Sequence, residues 1–399
     1  MIIEILVALF LGVLAGTFTG LSPGIHINLI ASILLATSTL ISTISPIVLV
    51  VFIVSMAITH TFLDFIPSVL FGAPEEDNFL SILPGHEMLK KGKGYEAIVF
   101  TFYGSLFALP IILFFTPIFI YLLPYIYPLI KNLIPFVLIF VSCYSLLREK
   151  LFFSSLVVFL SSGLLGYLTL NLPVKEPLLP LLTGLFGLSS LMISISQEHS
   201  IPTQKIYPLT KIKLSKKEFL NSSIISFVAP FCSFLPGIGS GHAAFISSEI
   251  LPQSKRGFLF LNGAANTIIM ALSFLTLFSI NRTRSGAAVA VQKLLNTLTP
   301  YNLIIILSTI ILSSIISFFF GIYLSKKAVF LVNKIRYKTL SIIVIFLLLI
   351  INFVFSNFLG LIVLLTSTFI GIFCILSGSK RINLMGALII PVVLYYLSN

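Results

Sequence analysis

A Pro-Gly break interrupts membrane-length apolar sequence twice, at Ser22-Pro23-Gly24-Ile25-His26-Ile27-Asn28 and at Pro236-Gly237-Ile238-Gly239-Ser240-Gly241-His242. Each break follows a complete hydrophobic segment and leads into another, with no charged loop between them. Because proline removes a backbone donor and glycine permits positive φ, a helix is expected to stop and restart there. Broken helices persist at membrane depth only where protein or a water-filled cavity satisfies the freed backbone groups. Two breaks at matching places in two halves predict a transporter binding site.

The composition indicates a chain that folds in a membrane. Of its 399 residues, 58% are hydrophobic and 9% are charged, and the mean hydropathy is +1.13. A soluble domain carries about 25% charged residues. Apolar runs of about 20 residues recur along the whole chain, as spanning helices require. The first residues lack the basic start of a cleavable signal peptide, and the polar stretch at about 199–218 is too short for a soluble domain.

The spacing of apolar segments predicts an all-α polytopic membrane protein made of two repeats. The first repeat is placed at 1–200, a cytoplasmic linker at 201–217 and the second repeat at 218–399. Each repeat holds about seven segments and one broken or re-entrant Pro-Gly helix, and an odd number of crossings inverts the second copy. The segments lie at about 2–20, 23–44, 46–71, 95–123, 132–147, 151–171, 178–197, 219–235, 237–251, 257–280, 302–325, 339–355, 358–376 and 383–398.

The basic residues predict the orientation of these segments. With this segment count, 19 of the 24 Lys and Arg residues fall on one side, which is therefore expected to be cytoplasmic. Both termini would then face the outside of the cell membrane. The net charge of +12 is explained by this bias. No nucleic-acid partner is predicted, because the charges lie in short loops between segments and not on a basic face or tail.

The two breaks predict anion sites. A helix that restarts after Pro-Gly points unpaired N–H groups and a positive dipole end into the membrane, which suits an anion without a charged side chain. The alternative is a pair of packing kinks, since Gly and Pro are common in membrane helices. The candidate substrate-binding residues in the breaks are Ser22, Pro23, Gly24, His26, Asn28, Pro236, Gly237, Gly239, Ser240, Gly241 and His242.

The loop after the third segment of each repeat carries opposite charges. In the first repeat it contains Glu75 and Glu76, and in the second it contains Arg282 and Arg284. Because guanidinium groups suit carboxylates and phosphates, the second loop is predicted to be an anion clamp or gate. The acidic loop is a candidate site for a coupling cation or proton. Solvated turns are the alternative for both loops.

Few ionisable or amide side chains lie within the predicted spans. His60 and Asp64 are four residues apart on one helix face, so they either form a structural pair or relay a proton. Asn266 follows Asn262 at the same spacing in the second half, where it would bind substrate or hold helices together. We predict no metal and no cofactor other than a coupling proton or sodium ion. Without HExxH or GxSxG, an intramembrane hydrolase is disfavoured, and the chain is predicted not to be an enzyme.

A known family shares several of these motifs. The sequence Ser68-Val69-Leu70-Phe71-Gly72-Ala73-Pro74-Glu75, then Pro84-Gly85-His86-Glu87-Met88 and Lys91-Gly92-Lys93-Gly94-Tyr95-Glu96-Ala97, resembles the large membrane permease of tripartite tricarboxylate transporters. The resemblance implies passage of a small carboxylate anion driven by an ion gradient. It also implies a small membrane subunit and an external binding protein as partners. His26 and the His60–Asp64 pair depart from the tricarboxylate pattern.

A second resemblance leads to an alternative function. The second break is similar to the Pro-Gly and Ser-Gly loops of polyprenyl-phosphate translocases, which also contain inverted repeats. The main hypothesis is an alternating-access transporter of an anionic substrate, most simply a small organic carboxylate. The alternative is a flippase that moves a polyprenyl-phosphate lipid carrier between the leaflets. The sequence leaves open the substrate, the coupling ion, the direction of transport and the formation of a homo-oligomer.

Overall fold

The computed structural model describes residues 2–22, 44–71, 82–196, 202–235, 239–283, 285–334 and 337–398. Within those ranges all the regular structure is helical and no strand is found, which confirms the predicted all-α class. The chain is described below by its helices, numbered in order along these ranges.

The first half contains α1 (Ile2–Leu21), α2 (Pro46–Leu63), α3 (Phe65–Phe71), α4 (Ile82–Leu89), α5 (Gly94–Tyr121), α6 (Leu123–Ile130), α7 (Ile134–Leu147), α8 (Phe152–Asn171), α9 (Leu178–Leu182), a π-helical segment (Thr183–Leu188) and α10 (Ser189–Ser196). The second half contains α11 (Lys216–Ser222), α12 (Ile225–Cys232), α13 (Ser240–Ile250), α14 (Lys255–Ile280), α15 (Gly286–Leu295), α16 (Pro300–Lys334), α17 (Tyr337–Leu376), a 3-10 helix (Arg381–Met385) and α18 (Gly386–Ser398).

Many of these helices are long and apolar enough to cross a bilayer. Eight helical stretches meet that requirement, and the bent pair formed by α6 and α7 adds a ninth candidate. Large apolar side chains face outward along them, including Phe153, which is 80% exposed, and Phe114, which is 65% exposed. An exposed apolar surface of this extent is stable only against lipid. The protein is therefore a multi-pass membrane protein.

Fourteen full crossings are not confirmed. Three predicted segments differ from a single long α-helix: 178–197 holds a continuous helical run with a π-helical segment between α9 and α10, 219–235 holds α11 and α12, and 237–251 holds α13. Pro230 lies inside α12, where it has no N–H to donate to the Ser226 carbonyl. The predicted segment 23–44 lies outside the described residues.

The long helix α17 reverses its direction at Asn357, where φ is 60° and ψ is −169°. A Cβ placed on Gly360 would lie 3.8 Å from the carbonyl oxygen of Asn352, whereas eight residues of straight helix span about 12 Å. The arm before the reversal packs Leu348 against Leu191, and the arm after it brings Gly371 to the Leu185 carbonyl. The reversal agrees with the prediction of separate segments at 339–355 and 358–376.

Glycines hold α1 directly against α2. A Cβ on Gly12 would lie 2.5 Å from the Phe52 carbonyl oxygen, and one on Gly16 would lie 2.4 Å from the Met56 carbonyl oxygen. The contacts advance in the same direction along both helices, so α1 and α2 are parallel. The connection from Leu21 to Pro46 therefore has its two ends at opposite ends of this helix pair.

The two halves of the chain pack into one continuous core. Helix α5 crosses α14 with backbone contact, because a Cβ on Gly104 would lie 1.8 Å from the Phe260 carbonyl oxygen and one on Gly263 would lie 2.1 Å from the Thr101 carbonyl oxygen. Helix α16 likewise packs on α2, α18 on α8, and α17 on the segment from α9 to α10. Each of these pairs joins one element from each half.

The ion pairs of the described residues gather at one end of the bundle, here called the charged end. Ion pairs there join Arg256 to Glu96 at 2.9 Å and Lys380 to Glu149 at 3.6 Å. Other ion pairs connect Lys255 with Glu87 and Arg148 with Glu249. The predicted linker is fixed to the same end, where buried Gln204 accepts the Gly94 N–H at 2.8 Å and donates to the Leu89 carbonyl at 2.9 Å. The loops that were predicted to be cytoplasmic thus lie together.

Burial of His86 at this end predicts a pH-dependent stability. Burial, followed by the positive charges of Arg381 and Lys90, lowers the pKa of His86 to about 4, against 6.5 in the unfolded chain. Between these values the unfolded chain binds more protons, so the free energy of unfolding falls as the pH falls, by at most about 3 kcal/mol. We expect the thermal midpoint to drop from pH 7 to pH 4.5 and His86→Gln to flatten that drop. Thermal midpoints that fall equally steeply with pH in the wild type and in His86→Gln would contradict the assignment of this pH dependence to His86.

Candidate functional site

A buried polar cluster lies where α2 meets α14, and it is called the polar core here. The hydroxyl groups of Thr61 and Thr267 are 3.2 Å apart, and both residues are buried. Thr267 is near the middle of α14, which runs from Lys255 to Ile280. Because α14 is long enough to span the bilayer, the polar core lies near half the depth of the apolar region. Secondary transporters bind their substrates at this depth.

Asp64 places a carboxyl group in the polar core. Its side chain is 1% exposed, and its Oδ2 accepts a hydrogen bond from Asn266 Nδ2 at 2.8 Å. Asp64 also marks the break between α2 and α3, because Pro67 has no N–H to donate to the Leu63 carbonyl. An ionisable group inside a membrane is costly and is commonly retained for ion or substrate passage. Asp64 and Asn266 are therefore brought together as candidate site residues.

His60 connects the polar core to the end of α1. Its Nδ1 lies 3.0 Å from Thr19 Oγ1, and both side chains are buried. A Cβ on Gly20 would lie 3.2 Å from the backbone nitrogen of Asp64, so the last turn of α1 packs directly against Asp64. Ser22 follows this turn. The described chain before the first Pro-Gly motif therefore ends close to His60 and Asp64.

The second break leads into the short helix α13. Ser240 and His242 are buried in its first turn, and the Gly239 N–H donates to His242 Nδ1 at 3.2 Å. Near the other end of α13, Glu249 pairs with Arg148 at the charged end. Ten residues of helix cover roughly 14 Å, about half the thickness of the hydrocarbon core. The first turn of α13, which includes Gly241, is thus buried well away from the charged end.

Several predicted site residues lie outside the described residues. These are Pro23, Gly24, His26, Asn28, Glu75, Glu76, Pro236, Gly237 and Arg284. Their proposed roles stay predictions.

Asn262 is a candidate that the sequence left open. Its side chain is fully buried, and within the described part of the chain neither its Nδ2 nor its Oδ1 has a hydrogen-bond partner. It lies one helical turn before Asn266, on the same face of α14. A buried amide without partners costs free energy of about 1–3 kcal/mol, so a ligand or water that binds here would be stabilising. The only sequence signal was the spacing of four residues between the two Asn residues.

Arg282 lies in a second location, an outer pocket of about 320 Å³ at the end of α14 remote from the charged end. Its guanidinium carbon is 5.8 Å from the Tyr127 ring centroid, and its Nη1 is 3.4 Å from the Tyr127 hydroxyl oxygen. Tyr396 and Phe234 also line this pocket. Among the described residues, no carboxylate pairs with Arg282. The pocket thus offers an available positive charge surrounded by aromatic side chains.

The outer pocket and the polar core are separate sites. Asn266 and Ile280 are 14 residues apart on α14, which corresponds to about 21 Å along the helix axis. The sequence grouped Asn266 and Arg282 as substrate-binding residues, and the structure places them at different depths. Phe234 connects the outer pocket with the second break, because it precedes Pro236 by only two residues. Within the described ranges, no three His, Cys, Asp or Glu residues form a group that could hold a metal ion.

The protein is a multi-pass helical membrane protein with polar side chains buried between its spans. This arrangement is typical of membrane transporters. The family model of the tripartite tricarboxylate transporter TctA family matches residues 6–386. The chain belongs to this family and is a membrane transporter component, which confirms the expected family. A protein of Methanocaldococcus jannaschii described as uncharacterised is 34% identical over 407 residues, covering 98% of this chain and 99% of that protein. No solved structure matches the chain.

Family membership also bears on the partners and on catalysis. The family works with the other components of a tripartite transporter, in agreement with the expected partner proteins. Membership in a transporter family agrees as well with the prediction that the chain is not an enzyme.

Proposed function

We propose that the protein carries a small organic carboxylate across the cell membrane by alternating access, with an ion gradient as the driving force. The observation that carries the anion assignment is the outer pocket, where Arg282 has no described carboxylate partner. A guanidinium binds a carboxylate in a planar, two-pronged geometry. Tyr127 and Tyr396 add hydroxyl groups for orientation.

The helix contacts support an inverted repeat. The contact of α5 with α14 has a counterpart in the contact of α16 with α2, with the roles of the two halves exchanged. The contact of α8 with α18 corresponds in the same way to that of α17 with α9 and α10. Thr61 and Thr267, which occupy equivalent places in the repeats, contact each other. Equivalent residues meet in this way on a two-fold axis.

The proposed route begins at the outer pocket and passes the two helix breaks. The buried N-terminus of α13 offers backbone N–H groups and a positive dipole end to the anion. The polar core would bind the substrate through Asn262 and Asn266, while Asp64 and His60 respond to the coupling proton or sodium ion. Alternating access then requires movement of one half against the other around this fixed cluster.

The orientation and partners are part of the same proposal. The charged end would face the cytoplasm, because it joins the loops in which the sequence predicts 19 of the 24 Lys and Arg residues. The outer pocket and both termini then face outward, where an external binding protein would deliver the anion. The further partner is a small membrane subunit.

The alternative is a flippase for a polyprenyl-phosphate carrier. Arg282 would suit a phosphate headgroup equally well. The size of the outer pocket favours the carboxylate, because about 320 Å³ is near the lower limit of ligand sites and matches a small anion.

Replacing Arg282 tests the anion assignment. We expect Arg282→Gln to weaken the binding of radiolabelled citrate or succinate to the purified protein by about 10- to 100-fold, since it removes a charge-assisted hydrogen bond. Lys293→Gln is the matched control, because it removes an exposed positive charge from α15 near the same end. If Arg282→Gln binds the anion with wild-type affinity, Arg282 is not an anion-binding residue and its loop is a solvated turn.

A further inference from the structure

A large cavity at the charged end is distinct from the outer pocket and the polar core. It has a volume of about 770 Å³ and is lined by residues from both halves. Glu87 comes from α4 and Lys255 from α14, while Lys380 and Arg381 lie between α17 and α18. It is called the inner cavity below.

The ion pairs around the inner cavity leave one cation without a counter-charge. Lys255 pairs with Glu87, and Lys380 lies 3.6 Å from Glu149. Glu149 also accepts a hydrogen bond from Asn383 at 3.3 Å, so both nearby carboxylates have partners. Among the described residues, no carboxylate pairs with Arg381.

Arg381 is also poorly satisfied by hydrogen bonds. Its Nη1 is buried and has no hydrogen-bond partner among the residues that the structure describes. Burial of a charged guanidinium without a partner is costly. The positive charge of Arg381, together with that of Lys90 and after the larger effect of burial, depresses the pKa of the neighbouring His86. Arg381 thus brings to the wall of the inner cavity a positive charge that no described carboxylate pairs with.

The walls of the inner cavity are mainly apolar. Phe245, Phe258, Ile375 and Ile382 line it beside the cations. The Phe245 ring lies 5.8 Å from Lys380 Nζ, measured to its centroid. A ligand with a hydrocarbon body and a carboxylate group matches these walls better than a bare inorganic anion, because the apolar part gains from burial.

We propose that the inner cavity is a cytoplasmic-side binding site for the transported carboxylate, with Arg381 as its anion-binding residue. The proposal rests on the proposed transport function. Helix α13 joins the two parts of the route, since its first turn follows the second break and its residues Phe245 and Ser248 line the inner cavity. An anion released from the break would thus reach Arg381 along one short helix.

A single tryptophan reports on the inner cavity. The chain contains no Trp, so Phe245→Trp introduces the sole indole fluorophore at the cavity wall. In purified protein we expect a saturable fluorescence change with citrate or succinate. Arg381→Gln should weaken this response by about tenfold or more through loss of a charge-assisted hydrogen bond. Arg381→Lys keeps the positive charge and should bind the carboxylate with intermediate affinity. This variant keeps the test valid if Arg381→Gln fails to fold.

Two comparisons make the outcomes distinguishable. Lys217→Gln removes an exposed positive charge from the charged end away from the inner cavity and should leave the Phe245→Trp response unchanged. Phe234→Trp, made in a separate variant, reports on the outer pocket.

The two reporters separate the possible outcomes. A fluorescence response to carboxylates in Phe234→Trp but not in Phe245→Trp would overturn the inner site alone. Equal carboxylate affinity of Phe245→Trp with and without Arg381 would do the same. If carboxylates change the fluorescence of neither Phe245→Trp nor Phe234→Trp, the proposed carboxylate transport is overturned. A Phe245→Trp response to a short-chain lipid phosphate only would overturn the carboxylate assignment.

Discussion

Asp64→Asn is expected to abolish carboxylate accumulation that is driven by an ion gradient, while the protein still folds and binds the anion. The amide oxygen of Asn can accept the hydrogen bond that Asn266 now donates to Asp64 at 2.8 Å, so the contact between α2 and α14 persists. The substitution removes the ionisable group of the polar core. A neutral amide cannot exchange a proton, and it lacks the negative charge that offsets a bound cation, so coupling to either ion should be lost.

Uptake into membrane vesicles from cells that express the protein measures this effect. Accumulation should fall to the background level, together with its dependence on pH or sodium. Glu4→Gln is the control, because it removes an exposed carboxylate from the first turn of α1. Gradient-driven uptake in Asp64→Asn with the dependence of the wild type would exclude Asp64 as the coupling residue.

The second large effect is expected from Gly104→Val, at the contact between the two halves. A Cβ at this position would lie 1.8 Å from the Phe260 carbonyl oxygen and 2.9 Å from the Ala264 nitrogen. Both atoms belong to the backbone of α14, so no side chain can rotate away. The Ser105 hydroxyl, which donates to the Gly263 carbonyl at 3.1 Å, would be displaced with it. We expect a loss of about 3 kcal/mol or more in the free energy of unfolding.

Size-exclusion profiles and thermal midpoints in detergent measure this loss. Phe114→Val on the same helix is the matched control, because Phe114 is 65% exposed and faces away from α14. The control should fold normally, whereas Gly104→Val should yield little folded protein. A thermal midpoint within a few degrees of the wild type would show that α5 and α14 do not pack in the arrangement described here.

Sequence patterns predicted the features that depend on local periodicity. Apolar runs located most of the long helices, and the gap between 355 and 358 matched the reversal at Asn357. The helices that hold Thr61 and Thr267 were predicted as the third segment of each repeat, and the two residues lie 3.2 Å apart. A periodic pattern can place such residues because it fixes which faces of neighbouring helices are apolar.

The candidate sites depended on contacts that periodicity does not contain. Tyr127 and Tyr396 reach Arg282 from distant parts of the chain, so no spacing could reveal them. Arg282 and Asn266 were expected to share a site, but the length of α14 separates them. Arg381 looked like an ordinary loop cation, and only the ion pairs of its neighbours distinguish it. Tertiary packing determines which hydrogen-bond or ion-pair partner a buried polar group has.

Thermal stabilisation of the purified protein measures the binding of a small carboxylate, on which the proposed function depends. The ligands are citrate, small dicarboxylates, inorganic phosphate and a short-chain polyprenyl phosphate, each added well above its expected Kd. A bound ligand at 100 times its Kd stabilises the native state by about 2.7 kcal/mol. We predict that a carboxylate raises the thermal midpoint and that the lipid phosphate does not. Stabilisation by polyprenyl phosphate without any carboxylate effect would contradict the proposed carboxylate transport and support the flippase function instead.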